Sequence, residues 1–271
     1  QNDGNGTFSN VSNQSPDLDN LGMVTDAQWF DYDSDGWRDL IIVGEWMPIT
    51  ILRNNNVKSF SKTEVATLKN TEGWWNVIES ADVDNDGDID YVIGNLGRNS
   101  YFRADEKTPV AITAADFDKN GTLDAVPSLY LPDRDGKKKE FPEPTRDDLI
   151  KQMISMRTIF QNYKLYATAG MDKVLTPEQK KSALRVEANY FSSVYLRNDG
   201  NGKFTLSTLP AEAQVSVLNG MAVDDFDNDG NLDIVINGND YGTEVSVGRY
   251  DALNGLFLKG DGKGGFTPLS I

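Results

Sequence analysis

Apolar residues in this chain fall into short runs. LIIVG (40–44), YVIGN (91–95), LDAVPSLYL (123–131) and IVING (234–238) are rich in β-branched and aliphatic residues, and each adjoins the end of a nine-residue acidic segment. Stretches such as VTDAQWF and GMAVDDF stand before those segments. Short apolar runs bounded by turn-forming residues predict strands, so each acidic segment is predicted to join two strands in a hairpin.

A second pattern recurs further along. YLRNDGNGKF (195–204) aligns with FLKGDGKGGF (257–266), with NDGNGTF (2–8) and more loosely with LRNNNVKSF (52–60). Asn-Asp-Gly or Gly-Asp-Gly between an aliphatic-aromatic stretch and a phenylalanine predicts a tight hairpin turn. One unit therefore reads strand, acidic loop, strand, link, strand, glycine turn, strand. Repetition of such a four-stranded antiparallel unit predicts an all-β chain built as a β-propeller. The units are expected at about 21–62, 74–108, 109–210 and 213–269, with 1–12 as the outer strand of a partial blade. The second unit is abbreviated, because NSYFRADEKTPV lacks the glycine turn.

The third unit is long enough to hold an insertion. In TRDDLIKQMISMRTIF, Leu149, Ile150, Met153, Ile154 and Phe160 fall near one helical face, with Thr145 as N-cap. TPEQKKSAL offers Thr176 as a second N-cap, Pro177 at the first helical position and Gln179 three residues after the cap. A helical insertion is predicted over about 143–186, dispensable to the sheets and with its Met and Leu residues serving as packing.

The acidic segments carry the candidate chemistry. DYDSDGWRD (31–39), DVDNDGDID (82–90), DFDKNGTLD (116–124) and DFDNDGNLD (225–233) share Asp-x-Asp-x-Asp/Asn-Gly-x-x-Asp. Carboxylates held this close repel one another and resist desolvation unless a cation sits among them. The predicted metal ligands are Asp31, Asp33, Asp35 and Asp39 with the Trp37 carbonyl; Asp82, Asp84, Asp86 and Asp90 with the residue at position 7, Asp88; Asp116, Asp118, Asn120 and Asp124 with Thr122; and Asp225, Asp227, Asp229 and Asp233 with Asn231. An all-oxygen donor set favours calcium over zinc or copper, and the pattern resembles the first part of an EF-hand loop. Up to four Ca2+ ions are expected, and the third loop is the weakest because Asn120 replaces an aspartate.

Composition narrows the functional classes. The net charge of −16 argues against a nucleic-acid or anionic-membrane surface, although sixteen of the 42 acidic residues lie in the four loops and four divalent ions would halve that charge. With no cysteine there is no disulfide framework, thiolate metal site or cysteine nucleophile; with no histidine the usual general base is missing. No apolar run reaches membrane-spanning length, and no signal peptide is visible. The chain opens on Gln1 in mid-pattern, as expected of a processed product or an excised fragment.

These motifs resemble the FG-GAP/VCBS repeat family, whose integrin α-subunit members carry calcium in Asp-x-Asp-x-Asp-Gly-x-x-Asp loops of a propeller. GWWNVIESADVDNDGDIDYVIGNLGRNS and GNDYGTEVSVGRYDALNGLFLKGDGKG look like large secreted bacterial members that often carry an ASPIC/UnbV domain. The resemblance implies a calcium-stabilised, extracytoplasmic binding or scaffold module for a glycan or protein, forming part of a larger propeller with its remaining blades or domains elsewhere in a longer chain. A polysaccharide lyase or hydrolase is the alternative. Ligand contacts are expected on the loops after each second strand, GEWMP (44–48), GNLGRNS (94–100) and GNDYGTEVSVGRYD (238–251), at Trp46, Arg98, Asp240, Tyr241, Arg249 and Tyr250. Packing between blades is the competing role of these aromatics.

Overall fold

The computed structural model describes residues 1–56, 59–245 and 247–269, and divides into two compact units: 1–101 with 191–271, and 102–190. Strands β1 (Met23–Phe30), β2 (Asp39–Met47), β3 (Thr50–Asn54) and β4 (Phe60–Thr63) form an antiparallel sheet in chain order, with the short β5 (Gly73–Trp74) added to β2. Ile41, Ile42, Val43, Ile51 and Leu52 are buried, so β2 and β3 are covered on both faces. This accounts for the unbroken apolar run LIIVG, where a half-exposed strand would alternate. Each fully buried aliphatic side chain of this kind is worth about 1.5–3 kcal/mol.

β6 (Val77–Ala81) and β7 (Asp90–Gly94) begin the second sheet, and the chain then leaves it. The 102–190 unit follows, with β8 (Val110–Ala115), β9 (Asp124–Pro132), β10 (Lys138–Pro142), five short helices α1 (Arg146–Gln152), α2 (Met156–Ile159), α3 (Tyr163–Tyr166), α4 (Met171–Val174) and α5 (Pro177–Ser182), then β11 (Leu184–Ala188). Its sheet runs β10-β9-β8-β11. The first unit resumes with β12 (Val194–Asn198) and β13 (Phe204–Thr208), which complete the second sheet in the order β13-β12-β7-β6. β14 (Gly220–Asp224), β15 (Asp233–Asn237), β16 (Leu256–Gly260) and β17 (Phe266–Leu269) make the last sheet in chain order.

The fold class is therefore all-β, with four antiparallel sheets among the described residues and the α-helices confined to 146–182. Two unit assignments change. The glycine-turn hairpin at 194–208 belongs to the sheet of β6 and β7, with Val194, Tyr195 and Leu196 paired to Ile93, Val92 and Tyr91, and not to the third unit. The third unit closes its own sheet with β11, paired along β8 from Leu184↔Ala114 to Ala188↔Val110. The second unit is thus not abbreviated but interrupted. Residues 1–12 do not form an outer strand: Asn2 and Phe8 share a single bridge around a turn closed by the Asp3 N–H to the Thr7 carbonyl.

In the first unit the leading strands of successive sheets lie side by side, β1 against β6 and β6 against β14. Side chains of β1 bind this neighbour's backbone: Asp26 Oδ2 accepts the Ile78 N–H at 3.0 Å, and Gln28 Nε2 donates to the Ile78 carbonyl at 3.1 Å. Phe30 packs edge-on against Tyr91, and Val92, Tyr195, Leu218, Ile234, Ile236 and Leu258 share a core between the second and last sheets.

In the 102–190 unit, Thr145 caps α1 and Thr176 with Gln179 forms a capping box at α5, as their spacing predicts. Leu149, Ile150, Met153 and Phe160 are buried with Met171, Val174, Leu175 and Val126. Ile154 departs from the expected face and is 61% exposed, because Met153 terminates α1 in an extended conformation and breaks the helical phase. The helices supply most of this unit's buried cluster.

Candidate metal centres

All four acidic segments adopt one backbone conformation at the mouth of a hairpin. Position 4, occupied by Ser34, Asn85, Lys119 or Asn228, has φ of 59–60°. Position 6 is always glycine, with φ of 86–95°, where another residue would be strained. The position-1 carboxylate spans the turn in each case. Asp31 accepts from the Asp35 and Gly36 N–H groups, Asp82 from Asp86 and Gly87, Asp116 from Asn120 and Gly121, and Asp225 from Asp229 and Gly230, all between 2.9 and 3.1 Å. The position-5 side chain accepts from the N–H of position 7: Trp37, Asp88, Thr122 or Asn231.

Position 9 opens the second strand and is buried in every loop, as Asp39, Asp90, Asp124 and Asp233. Each accepts from the N–H of position 2: Tyr32, Val83, Phe117 or Phe226. In the three sheets of the first unit the other carboxylate oxygen accepts from the end of the third strand, from the Asn54, Asn198 or Gly260 N–H at 2.6, 2.8 and 3.0 Å. One buried carboxylate therefore ties the acidic hairpin to the third strand. Burial pushes the Asp39 and Asp90 carboxyls up, against these hydrogen bonds.

The carboxylate oxygens that converge to within 4.8 Å are those of Asp31, Asp33 and Asp39; Asp82, Asp84 and Asp86; Asp116, Asp118 and Asp124; and Asp225, Asp227 and Asp229. Asp35, Asp90 and Asp233 stand outside these groupings, Asp35 pairing with Arg53 at 3.3 Å. Asp33 Oδ1 and Asp84 Oδ1 are buried without a hydrogen-bond partner. Burial, then the charge of Asp86, pushes the Asp84 carboxyl up. Three hard oxygens at one point, with a buried lone pair left over in two loops, fit a divalent cation such as calcium.

The opposite ends of the second strands hold the other predicted residues. Trp46 has φ of 59° at a register shift between Glu45 and Met47, and its ring meets Trp74 at 5.0 Å, which in turn meets Phe191 at 4.9 Å. An aromatic residue held at positive φ is a strained position of the kind that clusters at functional sites. Arg98 is exposed, its Nε donating to Ser192 Oγ at 2.8 Å. Asp240 and Tyr250 pair through their backbones, and Tyr250 is buried, so its ring belongs to packing. Tyr241 is 62% exposed with the Arg249 guanidinium 5.8 Å from its ring centre. Ser246, in this same loop, and Val57 and Lys58, in the turn of 52–60, lie outside the described residues.

Trp74, Phe191 and Gln214 were not singled out by sequence. Buried Gln214 accepts the Arg98 and Asn99 N–H groups at its carbonyl and exchanges side-chain bonds with Ser193. The doublet Trp74-Trp75 was the available signal for the aromatic cluster.

No curated protein matches the chain. Residues 31–93, which hold the first two acidic loops and the strands they join, match a family described as FG-GAP-like repeat. The four acidic loops share one geometry, and over residues 31–93 the chain is similar to the FG-GAP-like repeat.

Proposed function

We propose that the chain is a calcium-stabilised binding or scaffold module that works outside the cytoplasm and takes a glycan or protein ligand. The observation that carries this reading is the fourfold repetition of one loop conformation around converging carboxylates. The ion would be held by Asp31, Asp33 and Asp39; by Asp82, Asp84 and Asp86; by Asp116, Asp118 and Asp124; and by Asp225, Asp227 and Asp229. It would supply positive charge where burial and mutual repulsion disfavour ionised carboxylates. Sites of this type work at the millimolar calcium found outside cells, and no helix among the described residues is long and apolar enough to cross a membrane.

Recognition is assigned to the ends of the sheets opposite the acidic hairpins. The Trp46–Trp74 pair, the exposed Arg98, and Tyr241 with Arg249 offer rings and cations suited to the faces and hydroxyls of a sugar or to a polar peptide. Ala222, Val235, Phe257 and Leu269 are cross-strand partners in one row over the last sheet, with Leu269 45% exposed, and this face is suited to a further blade of a longer chain. A glycan and protein array probed in calcium and in EGTA tests the reading. Retention without cleavage, lost with Trp46→Ala or Tyr241→Ala at unchanged melting temperature, supports it; cleavage of a polysaccharide would replace it with an enzymatic reading.

A further inference from the structure

The three sheets of the first unit end their third strand with the same pair: a basic residue, then the residue whose N–H reaches the position-9 aspartate. The pairs are Arg53-Asn54, Arg197-Asn198 and Lys259-Gly260. Their cross-strand partners correspond as well, Ser61, Thr205 and Thr267. Equal register places one cationic side chain beside each acidic loop, yet the three are used differently. Arg53 Nε lies 2.5 Å from Asp33 Oδ2 and its other nitrogen 3.3 Å from Asp35 Oδ2. Lys259 Nζ binds Asp227 and lies 2.8 Å from Asp229 Oδ2. Arg197 instead binds Asp199 at 2.6 Å.

The residue two places after each cation accounts for the difference. Asp199 is fixed by Thr205 Oγ1 at 2.6 Å and draws Arg197 toward the glycine turn. The equivalent in the first sheet is Asn55, uncharged and bonded to Ser59 and Ser61, so Arg53 falls back on the loop. The equivalent in the last sheet, Asp261, spends its Oδ1 on the Lys263 and Gly265 N–H groups of its own turn, and Lys259 remains on Asp227 and Asp229.

We infer that Arg53 and Lys259 are built-in counter-ions that occupy the position-3 and position-5 carboxylates of the first and last loops and must leave them before a metal ion is held there, while the Asp199 tether leaves the second loop open. This rests on the calcium reading above. It grades the three loops: the second fills at the lowest calcium, the first and last compete with their own side chain. Neither Arg53 nor Lys259 ligates the ion; they act as positioning residues that set affinity.

Isothermal titration of the whole chain with calcium, together with melting temperature in EGTA, distinguishes the possibilities. Arg53→Gln and Lys259→Gln each tighten one weaker site by roughly two- to tenfold, the range expected for releasing exposed ion pairs, while lowering the melting temperature in EGTA. Asn55→Asp tightens the first site with Arg53 still present and adds nothing in the Arg53→Gln background, since it acts only by moving that guanidinium. Asp199→Asn frees Arg197 and weakens the second-loop site. Unchanged or weakened first and last sites in the glutamine variants, with calcium still bound elsewhere, would overturn the counter-ion role alone. Absence of calcium binding in the unmodified chain would overturn the calcium reading and this inference together.

Discussion

The Tyr195 hydroxyl donates to Asp90 Oδ2 at 2.6 Å, joining residues 105 apart in sequence inside one sheet. Asp90 also accepts from Val83 and Asn198, so one buried carboxylate binds the acidic hairpin to a strand that arrives only after the 102–190 unit. Tyr195→Phe removes a hydrogen bond to a charged group and is expected to cost about 1.5–3 kcal/mol. Asp90→Ala strands three donors and is expected to cost about 3 kcal/mol or more. Urea unfolding followed by tryptophan fluorescence measures both.

The interruption has its own consequence. The Gly97 N–H donates to the Phe191 carbonyl at 2.8 Å and the Asn95 N–H to Ser193 Oγ at 3.0 Å, so the two ends of the break already meet within the first unit. Replacing 102–190 with a short Gly-Ser bridge is expected to leave a folded protein with a β-type circular dichroism spectrum and cooperative melting. Deleting only the helices, 146–182, removes most of the cluster around Leu149, Met153 and Met171, and the 102–190 unit should then lose its protection against proteolysis.

How much of this was legible depends on the range of the interaction. The acidic loops follow from local spacing, since the side chain of position 1 meets the N–H groups of positions 5 and 6 within one turn. The caps at Thr145 and Thr176 are equally local. The strand pairing of 194–208 was misassigned because sequence order stood in for spatial order, although one sign was present: a second unit without its glycine turn. The counter-ion roles of Arg53 and Lys259 become readable only when third strands are aligned on the donors to Asp39, Asp90 and Asp233. The strained Trp46 had no sequence sign, because an aromatic in that position reads as an ordinary strand residue.

Thr176→Ala removes the capping box that fixes the start of α5. The expected loss is about 1 kcal/mol. It should appear in hydrogen exchange of the 102–190 unit, with the N–H groups of Gln179 and its neighbours exchanging first.

Glu79 is pushed up by burial and by the charge of Asp26. Its folded value lies above its unfolded one, so its contribution to stability is present below the unfolded value and is lost as pH rises through the folded value. Glu79→Gln keeps the protonated shape and is therefore expected to raise the melting temperature at pH 7, with the advantage over the parent shrinking as pH falls into the carboxylate range. Parallel thermal scans of the two proteins across that range measure it.

Thermal unfolding in 1 mM calcium against EGTA tests most directly whether the acidic loops are metal centres that hold the sheets together. With dissociation constants of about 10⁻⁴ to 10⁻³ M, each filled site adds on the order of 0.4–1.4 kcal/mol. The melting temperature is predicted to rise in calcium and to rise less when Asp84→Asn removes a converging carboxylate. A melting temperature that is the same in calcium and in EGTA would contradict the account.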